Sequence, residues 1–118
     1  MLRENTVKRI LNPDLLTTLH LEHDCCEVTG RVGRLHLHHV VLRSHGGDDV
    51  RANILCVSDE LHRLYHSHDH WARRLIGHHI NEFRLDIKDY LALKLGGKEA
   101  ASEWISKHLL SSSTQENS

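Results

Sequence analysis

A length of 118 residues allows one domain with a modest core and excludes two. Lys plus Arg (15) nearly balance Asp plus Glu (16), which excludes a protein held to nucleic acid by overall charge and leaves only a local patch for such contact. No apolar run approaches the roughly 20 residues of a membrane span, so no membrane partner is expected.

The opening MLRENTVKRI lacks the apolar core of a signal peptide. Cys25, Cys26 and Cys56 are odd in number and two are adjacent, which argues against a secreted disulfide framework. A reducing cytoplasm is the expected location. Histidine is the outlier of the composition, with 13 residues.

In chain order, residues 1–11 carry a weak helical pattern, with Val7, Ile10 and Leu11 on one side. Asn12-Pro13-Asp14 is a strong helix start: Asn12 caps, Pro13 suits the first helical position, and Asp14 favours the positive end of the dipole. Leu15, Leu16 and Leu19 give that helix its apolar stripe, and it is expected to end near His20. Residues 26–30 predict a turn, and Gly33 supports a hairpin-like connection. Alternation followed by β-branching predicts a strand over Leu35 to Leu42.

Residues 43–51, with Gly46-Gly47, predict a loop, and Asn53 to Val57 a second short strand. Ser58 is a good N-cap with Asp59 and Glu60 in the first turn, so a helix is expected over about 59–67, its apolar face made by Leu61, Leu64 and Tyr65. From Trp71 to Ile76 the pattern is helical, and Gly77 with His78-His79 is expected to interrupt it. Asp86 to Leu95 predicts a helix with Ile87, Tyr90, Leu91 and the Lys94 stem inward, stopped by Gly96-Gly97. Lys98 to Leu110 predicts another, carrying Trp104, Ile105 and Leu109. The polar segment 111–118 is expected to be disordered.

The chemistry concentrates in LHLHHVVLRSHGGDDVRANILCVSDELHRLYH, from Leu35 to His66. His62 and His66 stand at i and i+4, so both imidazoles leave one face of the helix about a turn apart, a common arrangement for two ligands of one metal. A third ligand from the strand, His38 or His39, completes a three-point grip and leaves positions for water and phosphate. Neighbouring strand residues point to opposite faces, so the pair cannot both aim at one ion. One ligates, and the other is free to act as a general base from the far side of the strand.

The pattern of His38-His39, Arg43-Ser44-His45-Gly46-Gly47-Asp48-Asp49, Asn53, His62 and His66 resembles the HNH endonuclease family, and its HH–N–H-x3-H form is similar to the colicin DNases. The resemblance covers about a third of the chain, from Cys26 to His66. It implies an α+β fold with a ββα-metal (His-Me) finger, core about 26–67, flanked by N-terminal and C-terminal helices, the C-terminal helical part at about 71–110 completing one nuclease domain over 1–110.

It further implies His38, His62 and His66 as metal ligands, His39 as general base, and Asn53 as the residue that braces the loop and orients His39. The implied activity is one-metal hydrolysis of DNA, most simply duplex DNA, to 5′-phosphate and 3′-hydroxyl ends. Small proteins of this kind are often phage-encoded, which adds a homodimer or a larger packaging assembly as partners. An all-imidazole site suits zinc, nickel, cobalt or manganese on ligand softness, with magnesium feasible where water and phosphate fill the shell.

Many members carry two CxxC pairs around a structural zinc. Here Thr29, Ser58 and Leu61 stand where three of those cysteines would be, so no four-cysteine zinc is expected.

Plainer readings compete for several residues. His20, His23, His36, His45, His68, His70, His78, His79 and His108 are expected to be solvated or structural. Arg43, Arg63, Arg73 and Arg74 are candidate phosphate contacts, against the plainer reading of a solvated face. Three other functions share the motif: a binding module that keeps the finger without cutting, a nuclease for RNA or structured DNA, and an accessory nicking subunit.

Overall fold

The computed structural model describes residues 9–111. Helix α1 (Pro13–Glu22) begins where the sequence places it: the Leu15 N–H donates to Asn12 Oδ1 at 3.1 Å, and Pro13 opens the first turn. It runs two residues past His20 and buries Leu19.

Ahead of α1, residues 9–12 are irregular rather than helical. Their backbone groups are taken by the Asp48-Asp49 pair: Ile10 N–H donates to Asp48 Oδ1 (2.7 Å), Asp49 N–H to Ile10 O (2.8 Å), and Asn12 N–H to Asp49 Oδ2 (3.0 Å). That tertiary strap outcompetes a weak helical pattern. Residues 1–8 of the expected helix lie outside the described residues.

The turn at 26–30 closes through Gly30 N–H to Cys26 O at 2.8 Å, and Cys25 bridges Val32. Strands β1 (Leu35–His39) and β2 (Ile54–Ser58) then pair antiparallel, Leu35 opposite Ser58 and His39 opposite Ile54. β1 stops three residues before the expected Leu42. The reason is Asn53, whose carboxamide takes Val41 N–H (2.8 Å) and donates to Val41 O (3.1 Å), groups a longer strand would give to a neighbour.

Asn53 itself closes a 3-10 turn, Arg51–Asn53, just before β2. In the intervening loop Gly47 packs so tightly on the backbone that a Cβ would lie 1.7 Å from Val41 O. Only glycine fits there.

Helix α2 (Asp59–His66) follows β2 with no linker, capped by Ser58 Oγ accepting from Leu61 N–H at 3.1 Å. Helix α3 (His70–Phe83) starts at Asp69, which accepts from Ala72 N–H at 2.8 Å, and runs unbroken through Gly77 and His78-His79. The interruption expected there does not occur. Gly77 is a packing glycine: a Cβ would meet Leu110 Cδ2 at 2.6 Å and Leu109 Cβ at 2.9 Å.

Helices α4 (Leu85–Leu95) and α5 (Lys98–Ile105) are separated by Gly96, left-handed at φ 100°, and α5 passes into a π turn, Ser106–Leu110, rather than continuing as α-helix. Of the tail, only Ser111 is among the described residues, so the disorder expected over 112–118 lies outside them.

Among the described residues the architecture is α+β, with five α-helices and a two-stranded antiparallel sheet. Leu55 and Val57 of β2, Leu61 and Tyr65 of α2, Ile76 and Ile80 of α3, Ile87 and Leu91 of α4, and Ile105 and Leu109 form the core. Burying each such side chain stabilises the fold by about 1.5–3 kcal/mol. This C-terminal packing fixes α2 against the sheet, and α2 carries two of the three clustered histidines, His62 and His66. No helix among the described residues is long and apolar enough to cross a membrane.

Candidate metal centre

Strand alternation and helical spacing together bring His38, His62 and His66 to one point. One nitrogen from each lies within 4.8 Å of the other two, and the Nε2 atoms of His62 and His66 are 3.1 Å apart. His38 is buried (2 % exposed), His62 half-buried, and His66 exposed, so the cluster has a closed inner end and an open outer one. The Tyr65 ring meets the His38 ring edge-on, centroids 4.5 Å apart, and fixes it from below.

Burial, then the neighbouring His62 and His66, depress the His38 pKa to about 3. Burial, then His66 and His36, bring His62 to about 4; burial and then Arg73 lower His66. All three are therefore neutral near pH 7, the form that presents a lone pair to a metal. His38 Nε2 is also buried without a hydrogen-bond partner among the described residues. Buried polar atoms are rarely left so, because an unmet one costs about 1–3 kcal/mol. Three neutral imidazoles converging on one point, one of them with an unpartnered buried nitrogen, fit a divalent ion.

His39 lies on the opposite face of β1, 8 % exposed, and its Nε2 is 2.9 Å from Asp49 Oδ1. A carboxylate accepts only, so the proton sits on Nε2 and the lone pair on Nδ1. Asp49 is itself held: Asn12 N–H donates to it, and the Arg9 guanidinium pairs with it. Burial would raise its pKa, but hydrogen bonds from Asn12 and His39 and the charge of Arg9 hold it below the ordinary carboxylate range.

Asn53, fully buried, bonds to Val41 and donates to Asp48 O at 3.0 Å. Its side chain ties the loop together through Val41 and Asp48 rather than bonding to His39; the residue hydrogen-bonded to the His39 ring is Asp49. Sequence reasoning read Asp48-Asp49 as turn chemistry and missed this. The available signal was a pair of acids following Gly-Gly and one strand-length from the His pair.

Asp48 completes the support. Tyr90 Oη donates to its Oδ2 at 2.6 Å, and Lys94 Nζ lies 2.9 Å away. Of the four candidate arginines, Arg43 and Arg74 are exposed at the surface and Arg63 pairs with Asp59 at 3.5 Å. Arg73 stands beside the cluster: its guanidinium lies 4.3 Å over the Tyr65 ring, donates to His108 O at 3.2 Å, and reaches His68 Nδ1 at 3.1 Å. A cleft of about 740 Å³ opens there, lined by Tyr65, His66, Arg73, Lys94 and Trp104 among others.

A second network, also missed in the sequence, lies behind the sheet. The Glu27 carboxylate accepts from Cys56 N–H (2.8 Å) and Arg84 (2.9 Å) and sits 2.9 Å from His79 Nε2. Against burial, which would raise it, these partners bring its pKa to about 2. The carboxylate pins the 26–30 turn to β2, α3 and the start of α4. Cys25, Cys26 and Cys56 are free thiols, and burial pushes Cys56 up to about 11, a packing residue rather than a nucleophile.

No family model matches this chain, and no curated protein or solved structure matches it significantly.

Proposed function

We propose that this chain is a metal-dependent endonuclease of the HNH type, hydrolysing phosphodiester bonds in DNA. The observation that carries the reading is the split at β1: His38, with its orphaned nitrogen, converges with His62 and His66, while the adjacent His39 is oriented from the other side by Asp49. Strand, strand and helix follow one another as in a ββα-metal finger. One divalent ion, manganese, magnesium, nickel or zinc, is the expected cofactor. When bound, it supplies Lewis-acid stabilisation of the charge that develops on the phosphate oxygens.

The chain's own residues do the rest. His38, His62 and His66 would hold the ion. His39, with its proton kept on Nε2 by Asp49, offers Nδ1 to take a proton from the attacking water. Asn53 keeps the loop that carries Asp49 from shifting, so the base stays oriented. Arg73, at the mouth of the cleft beside His66, is placed to contact a phosphate of the bound strand. Products are 5′-phosphate and 3′-hydroxyl ends, and a cytoplasmic location accords with the free thiols.

The near balance of 15 basic and 16 acidic residues supports a second reading, in which a partner subunit supplies most of the affinity for DNA. Nicking of supercoiled plasmid by metal-stripped protein tests both, with manganese, magnesium, nickel or zinc restored one at a time. Cleavage that returns with metal and is lost in His39→Ala supports the nuclease. Metal binding without cleavage by the free chain favours the partner-dependent reading, and absence of metal binding overturns both.

A further inference from the structure

On β1 the side chains alternate, so His36 shares the face of His38. Its ring lies 5.0 Å from the His62 ring. The three rings of the metal cluster are separated by similar distances: 5.3 Å for His38–His62, 5.5 Å for His38–His66 and 4.6 Å for His62–His66. With metal–nitrogen bonds of about 2.0–2.1 Å, imidazoles on one tetrahedral ion have centroids about 5 Å apart. His36 therefore already stands at ligand spacing from one member of the cluster.

Its other end is backed by a carboxylate. His36 Nε2 lies 2.8 Å from Asp59 Oδ1, a close contact that is off the alignment of a hydrogen bond. Metal-bound histidines commonly present one ring nitrogen to such a carboxylate, which leaves the other, here Nδ1, free to ligate. The side chain is 36 % exposed, and His36 stands outside the 4.8 Å convergence of the other three, so its ring has to turn towards them to ligate.

We infer, building on the reading of His38, His62 and His66 as a metal site, that His36 is a reserve fourth ligand that closes the coordination shell around zinc and stays off ions that keep more water. Zinc sites with four protein ligands are closed and structural, whereas catalytic ones keep a position open. Magnesium and similar hard ions retain several waters and gain little from a further imidazole. His36 thereby decides which ion supports turnover: zinc is held tightly and silent, manganese or magnesium is held more weakly and active.

Cobalt(II), a spectroscopic stand-in for zinc, tests this in the metal-stripped full chain without reference to cleavage. Wild type should show the intense visible absorption of four-coordinate cobalt. His36→Ala should show the weak absorption of a more hydrated ion, with zinc affinity about 10–100-fold lower and manganese affinity nearly unchanged. Asp59→Asn, which leaves the imidazole in place, should lower zinc affinity less, and circular dichroism of both variants should match wild type.

Zinc-supported cleavage relative to manganese should rise in His36→Ala. An unchanged cobalt spectrum and zinc affinity in folded His36→Ala would overturn the role of His36 and leave the three-histidine site standing. A wild-type cobalt spectrum that is absent, or indifferent to His62→Ala, would overturn the three-histidine site and this inference with it.

Discussion

The two faces of β1 differ more than any other adjoining regions of the molecule. On one, His36 and His38 meet α2, the imidazoles crowd one another, and two buried ring nitrogens, His36 Nε2 and His38 Nε2, have no hydrogen-bond partner among the described residues. On the other, Asp49 holds His39 Nε2, Asn53 holds Val41 and Asp48, and Tyr90 holds Asp48, leaving His39 Nδ1 as the free lone pair. The difference teaches what each side is for. A satisfied network rigidifies and orients, whereas an unsatisfied convergence of lone pairs is stable only if something else completes it.

The largest expected effect breaks the satisfied side at its reactive end. His39→Ala should reduce plasmid nicking by about 10²–10⁴-fold, the usual worth of a general base, with metal affinity by calorimetry unchanged. Asp49→Asn should lose less, because the imidazole remains and only its proton placement is weakened. Equal nicking by His39→Ala and wild type would remove the base assignment.

Next comes the brace. Asn53→Ala strips partners from Val41 N–H, Val41 O and Asp48 O in a fully buried site. A loss of on the order of 3 kcal/mol in denaturant unfolding is expected. A loss under about 1 kcal/mol would mean that the loop is held by Gly47 and the Asp48–Tyr90 contact instead.

How much of this was legible in the sequence follows from which interactions are local. The helix starts at Asn12 and Ser58, the β-β-α order and the i, i+4 spacing of His62 and His66 are local, and the structure has them. The convergence of His38 with that pair came from the motif's resemblance, since strand alternation alone left His38 and His39 interchangeable. What escaped depends on partners far along the chain. Asp49 meets His39 across a loop, Glu27 meets His79 and Arg84 more than fifty residues away, and Gly77 is tolerated in mid-helix because Leu109 and Leu110 need the space. None of those pairings has a periodicity to betray it.

The unsatisfied face makes the third prediction. In metal-free protein, His38→Leu should be neutral to stabilising, because it removes a buried polar atom that has no partner. In wild type, a divalent ion at about 100 times its Kd should stabilise by about 2.7 kcal/mol, and His38→Leu should lose that increment. Thermal melts with and without metal measure both. A large destabilisation of metal-free His38→Leu would mean that the imidazole is a structural group and that the contrast between the two faces is false.

Acid separates the two kinds of support by where each begins to fail. His38 and His62, neutral in the fold with pKa values depressed to about 3 and about 4, take up protons on unfolding from near 6.5 downward. The unfolded chain then binds more protons, so stability falls as pH drops from about 6.5 towards 4, in full for buried His38 and less for half-exposed His62, whose charge water screens. Glu27 behaves differently, because its folded pKa is lowered from 4.5 to about 2. Its contribution is intact above about 4.5 and is lost only as pH falls from there towards 2. Metal-free wild type should therefore weaken in two stages. His38→Leu should flatten most of the upper stage and spare the lower; Glu27→Gln, which removes the Glu27 contribution throughout the range above about 4.5, should flatten the lower and spare the upper. A metal ion should steepen the upper stage alone, because protons compete with it only at the histidines.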